Sequence, residues 1–110
     1  MSDLLKKQQQ FALAIADLIQ YANDENLSVT FGDAYRDPRV FGAMGEQKGY
    51  GQPNSCHKLR LAVDLNIIID VKIAGSNAYN KLHDYWDTLG GSERIDKDLN
   101  HFSFSHDKYR

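Results

Sequence analysis

The chain has 110 residues, 42% of them apolar and 25% charged, enough for one domain around one hydrophobic core. Its formal net charge of -2 argues against nucleic acid as a partner, because phosphate-binding domains carry a basic excess. The single cysteine, Cys56, excludes an intrachain disulfide, so the fold rests on its core and on any metal it holds.

Leu4 to about Asn23 reads as an amphipathic helix, with Leu4, Phe11, Ile15, Leu18 and Ala22 at three-, four- and seven-residue spacings. It is too polar to span a membrane: Lys6, Lys7, three glutamines and Asp17 interrupt it. The N-terminus lacks the basic, apolar and small-residue regions of a secretory signal. The expectation is a protein made in a cytoplasm and not exported by that route. Leu27 to Phe31 alternates and reads as a strand. Gly32 to Asn54 holds most of the glycines and both prolines and reads as a long loop of the kind that carries function or moves.

Leu61 to Asp70 is the clearest strand. Val63, Leu65, Ile67 and Ile69 face one way, and Asp64, Asn66, Ile68 and Asp70 the other. Val71 to Ala74 reads as a short returning strand. Ser76 is placed to cap a second helix that buries Ala78, Leu82, Tyr85, Trp86 and Leu89, and Gly90-Gly91 ends it. His101 to Phe104 reads as the last strand, with Phe102 and Phe104 toward the core and His101 and Ser103 on the other face. The order predicts a small α+β domain, a mainly antiparallel sheet with helices on one face.

The opposite face then collects polar residues that suit a metal. His57, Asp64 and His101 supply two imidazoles and a carboxylate, and a catalytic zinc takes three protein ligands and keeps one position open. Asp98, three residues before His101, is left free to move protons. Arg36 lies just past a strand end and is the candidate cation for an oxyanion. Each residue also has a plainer reading. Asp98 sits in the charged run Glu93 to Asp98, with Asp96 as an alternative base; Asp64 can be an ordinary strand carboxylate; Arg36 can pair with Asp33 or Asp37. Cys56 reads as a small buried thiol, and His83 and His106 as surface or hydrogen-bonded histidines.

Ser55-Cys56-His57, Ala62-Val63-Asp64-Leu65 and Asp98-Leu99-Asn100-His101-Phe102 together resemble the zinc peptidases that include D-Ala-D-Ala carboxypeptidases and phage L-alanyl-D-glutamate endolysins. Tyr35-Arg36-Asp37-Pro38 matches an arginine segment of the same family. The resemblance spans about residues 29 to 104, and the run Phe31 to Val40 looks most like short phage-encoded members. It implies the small α+β fold shared by D-Ala-D-Ala peptidases and the hedgehog signalling domain. It also implies Zn2+ held by His57, Asp64 and His101, Asp98 as general base and acid, and Arg36 on the substrate carbonyl or oxyanion. The implied substrate is the stem peptide of bacterial peptidoglycan, cut by a monomer that neither inserts in a membrane nor binds nucleic acid. It would wait in the host cytoplasm until a holin opens the membrane. The chain departs from many relatives in having Arg60 or Leu61 where they have glycine, and in lacking a Trp between the second helix and the final histidine. Two other readings are a non-catalytic zinc domain of the same fold that binds wall or protein, and a phage structural protein with no metal.

Overall fold

A computed structural model describes residues 2–107 and 109. Helix α1 (Asp3–Asp24) starts where the Ser2 hydroxyl accepts a hydrogen bond from the Leu5 amide, with Asp3 in the first turn. Its buried stripe is Phe11, Ala14, Leu18 and Ala22, the three- and four-residue spacing of one helical face. No helix among the described residues is long and apolar enough to cross a membrane.

The sheet is built around one strand. β1 (Ser28–Phe31) pairs antiparallel with β2 (Ala62–Ile69), Ser28 opposite Ile68 and Phe31 opposite Leu65. The other edge of β2 is shared by two short antiparallel strands. β3 (Lys72–Ile73) pairs at the far end, and β4 (His101–Ser103) pairs at the near end, with Asp64 opposite His101. Between them the Ile67 amide would lack a strand partner. It donates instead to the Tyr79 hydroxyl at 3.0 Å, from inside the core, as a buried amide must find an acceptor.

Helix α3 (Ser76–Thr88) contributes Tyr79, Leu82, His83 and Trp86 to the buried layer. Trp86 meets Phe11 of α1 edge-on at 5.9 Å and Phe102 of β4 at 6.1 Å. Leu65, Ile67, Phe102, Leu18, Leu82 and Trp86 are all fully buried. Both long helices thus cover the face lined by Val63, Leu65 and Ile67, and Asp64 and Asn66 point the other way. The expected small α+β arrangement with an antiparallel sheet is present.

Four details differ from the sequence reading. Ser76 is the first residue of α3 rather than its cap; Gly75 holds that position, and no side chain caps the helix. Asp70 and Val71 both take left-handed backbone angles (φ 51 and 60), so Val71 belongs to a two-residue hairpin turn and β3 begins after it. Ile69, placed in the apolar row, lies at the sheet end and is 46% exposed. Tyr79 and His83 are buried although neither stood in the predicted apolar stripe. The hydroxyl of one and the ring nitrogen of the other find partners inside, which the apolar pattern cannot register. The long loop also contains a one-turn helix, α2 (Pro38–Phe41), capped by the Asp37 carboxylate on the Arg39 amide.

Candidate metal centre

A 3-10 turn, Cys56–Leu59, carries the first donor. Ser55 begins it: its hydroxyl accepts from the His57 amide at 3.2 Å. The turn ends at Arg60, whose left-handed angles (φ 57, ψ 33) swing the chain into β2. A left-handed position is where glycine is free and other residues are strained. The arginine stays by laying its guanidinium 4.0 Å over the Tyr35 ring.

His57, Asp64 and His101 converge. Asp64 and His101 are direct partners across the β2–β4 ladder, so strand pairing alone puts them side by side on the face away from the helices. His57 Nε2 lies 3.1 Å from Asp64 Oδ1 and 3.2 Å from His101 Nδ1, and His101 Nδ1 lies 3.6 Å from the same carboxylate oxygen. Donors about 2.0–2.1 Å from a tetrahedral ion stand roughly 3.4 Å apart, so the spacing suits one small cation. Both rings are buried.

The hydrogen bonding fits as well. His57 Nδ1 donates to the Ala34 carbonyl at 2.7 Å. A neutral His57 therefore turns an Nε2 lone pair toward the Asp64 carboxylate, and two acceptors at that distance need a positive charge between them, a proton or a metal ion. Burial by itself raises the Asp64 carboxyl, but its hydrogen bonds with the His101 and His57 rings outweigh burial and hold it well below the usual carboxylate range. The cluster can hold a metal ion. His101 Nε2 is buried and has no hydrogen-bond partner among the described residues; strand pairing sets the position of the residue.

Asp98 stands just outside the donor set. Its Oδ2 is 4.0 Å from His101 Nδ1, and its side chain is 52% exposed. Two successive turns place it: the Asp98 amide donates to the Ile95 carbonyl, and the His101 amide to the Asp98 carbonyl. Asp98 lines a cavity of about 300 Å³ together with His57, His101 and Arg36. Asp96 does not line it.

Arg36 reaches the cavity under tight control. Nη1 donates to Ser55 Oγ at 3.2 Å, Nε to Asp33 Oδ2 at 3.3 Å, and the guanidinium lies 5.4 Å from the Tyr50 ring centre. Tyr50 donates its own hydroxyl to the same Asp33 oxygen at 2.7 Å. Gly51 makes room for the guanidinium: a Cβ there would stand 2.7 Å from Nη1, and its φ of 95 suits glycine alone. Asp37 takes no part in holding Arg36. Hydrogen bonds from the Arg39 side chain and amide hold its carboxyl down at about 2.

The structure thus places His57, Asp64 and His101 within reach of one ion, and Asp98 and Arg36 on the wall of the adjoining cavity. Cys56 is not among the donors. It lies fully buried in the core, and burial pushes its thiol up to about 11. His83 donates through Nε2 to the Leu99 carbonyl at 2.8 Å and stacks on Phe102; His106 approaches Lys7 at the surface. No family model matches the chain, and neither does any curated protein or solved structure.

In the sequence Ser55 is part of the Ser-x-His motif without a role, and Tyr50 and Lys58 have none; all three build the surroundings of the site. Ser55 had a readable signal, since a serine directly before a helical turn can cap it. Tyr50 and Lys58 had none, because their partners come from separate parts of the loop.

Proposed function

We propose that the chain is a zinc-dependent peptidoglycan peptidase of the phage endolysin type, which hydrolyses an amide bond of the wall stem peptide, with L-alanyl-D-glutamate as the bond. The observation that carries this reading is a cluster of three possible donors with a second carboxylate, Asp98, held beside it but outside it, on a cavity that also receives a fixed arginine. A domain that only binds has no use for that free acid. Zinc, held by His57, Asp64 and His101, would lower the pKa of a water and polarise the scissile carbonyl.

The chain's own residues do the rest. Asp98 takes a proton from the attacking water and returns it to the leaving amine. Arg36 offers N–H donors to the carbonyl oxygen as it gains negative charge, and its contacts with Asp33 and Ser55 fix it before substrate arrives. Access to the wall follows opening of the host membrane by a holin.

The test is loss of turbidity in outer-membrane-permeabilised Gram-negative cells, wild type against Asp98→Ala, with zinc content measured for both. Wild type is expected to clear the cells, and the variant to keep one zinc per chain while losing on the order of 10²–10⁴ in rate. If both hold zinc and neither clears any wall, the chain is a zinc-containing binding domain. If neither holds zinc, the metal assignment falls.

A further inference from the structure

The segment from Gly42 to Asn54 contains no helix or strand, yet Gly51, Gln52, Pro53 and Asn54 form one wall of the cavity. A loop without backbone ladders needs another source of order. Scattered amide–carbonyl bonds, Gly45 to Pro53, Glu46 to Ala43 and Lys48 to Phe41, supply part of it; Lys58, which is 6% exposed, supplies more. Its ammonium donates to the carbonyls of Ala43 at 3.1 Å, Glu46 at 2.6 Å and Pro53 at 3.0 Å. A lysine has three N–H donors, and all three are used. Among the described residues no carboxylate pairs with it. A buried ammonium without a counter-ion is costly unless dipoles surround it, so carbonyls from three points of the loop take the place of that counter-ion. The dependence runs both ways: without the ammonium, the Glu46 carbonyl would lose this donor, and the Ala43 and Pro53 carbonyls would keep the Glu46 and Gly45 amides but lose the cation that draws them together.

We propose that Lys58 is the positioning residue of the cavity wall, an internal cation that gathers residues 43–53 and so fixes Gln52 and Asn54 where a peptide substrate lies. Pro53, whose carbonyl accepts from both the ammonium and the Gly45 amide, lies between those two residues, so losing the ammonium loosens both. The claim about substrate rests on the peptidase reading; the claim that the loop depends on the ammonium does not.

The experiment uses the zinc-loaded full chain and the Lys58→Met variant, which keeps the apolar stem and removes the donors. Amide hydrogen exchange over 43–54, zinc content, and steady-state cleavage of a synthetic stem peptide with the L-alanyl-D-glutamate bond are measured together. Exchange in the loop is expected to rise at least about 10-fold while zinc stays at one per chain. KM is expected to rise about 10-fold with kcat within about threefold, the signature of lost positioning rather than lost chemistry. In Lys58→Ala, added ethylammonium is expected to restore loop protection, and tetramethylammonium, which has no N–H, is not. Lys58→Arg, which keeps a cation and donors, carries the same readouts with an intermediate KM if the Met variant does not fold. Unchanged exchange and unchanged KM would overturn the proposal. So would loss of zinc with a fall in kcat alone, since Lys58 would then act on neighbouring His57. If wild type cleaves no stem peptide, the peptidase reading fails on its own, and the exchange and ethylammonium results still decide the role of Lys58.

Discussion

One hydroxyl, that of Ser55, accepts both the His57 amide and the Arg36 guanidinium, and so ties the metal donor to the arginine across 19 residues of loop. His83 has a comparable part on the other side. Through the Leu99 carbonyl it holds the segment between Asp98 and His101. Nε2 must carry the proton for that bond, and the buried Nδ1 has no partner among the described residues, so the ring is kept neutral. Burial and, after it, the nearby Arg94 charge lower its pKa, against the Leu99 hydrogen bond. The folded pKa therefore lies below the unfolded value of about 6.5. Below that value the unfolded chain binds more protons, so the contribution of His83 is complete above it and is lost as pH falls. His83→Gln should remove this slope. In urea titrations at pH 7.5 and pH 5, the stability gap between wild type and variant is expected to narrow in acid; a constant gap would mean that His83 is not held neutral.

At the scale of elements, the turn between His57 and Asp64 is strained by choice of residue. Arg60 takes a conformation that costs a residue with a side chain on the order of 1–2 kcal/mol, and its contact with the Tyr35 ring offsets about 0.5–1 kcal/mol of that. Two variants separate the terms. Arg60→Ala loses the ring contact and keeps the strain, whereas Arg60→Gly loses both. Arg60→Gly is expected to unfold about 1 kcal/mol above Arg60→Ala, read from denaturant midpoints at equal slope. Equal midpoints would remove strain from the account of this turn. The β-ladder of β2 and β4 explains in the same way why Asp64 and His101 meet: register fixes them opposite each other, and a slip by one residue would turn both side chains to the other face.

Over the whole molecule, the three donors come from a 3-10 turn, the central strand and the last strand. A metal bound there would link the loop region to β2 and β4 at one end of the sheet. Because binding needs the folded geometry, metal affinity adds to folding stability. With free zinc at about 1,000 times its dissociation constant, the gain is about 4 kcal/mol. Chelation should therefore lower the melting temperature of wild type markedly, and that of His101→Ala hardly at all, because the variant has already lost a donor. An equal response of the two proteins to chelator would exclude these residues as the binding site.

The two long helices, the strands and the residues of the candidate site were open to reading in the sequence because each leaves a local mark, whereas the one-turn helix α2 was hidden in the loop. Phe11, Leu18 and Ala22 repeat at helical spacing, Val63 to Ile67 alternate, and Asp98 and His101 sit three residues apart. Those patterns also fixed which face of β2 and β4 could carry polar groups, since alternation is a property of the backbone. Tertiary structure alone decided how the site is held. The Ala34 carbonyl meets His57 from 23 residues away, Tyr50 and Arg36 share Asp33, Tyr79 fills the gap in the β2 edge, and Lys58 gathers three carbonyls from the long loop. Each of these is a hydrogen bond between groups remote in sequence, and such groups meet only after the chain has closed its loops around the core, so no periodicity in the residues can announce them.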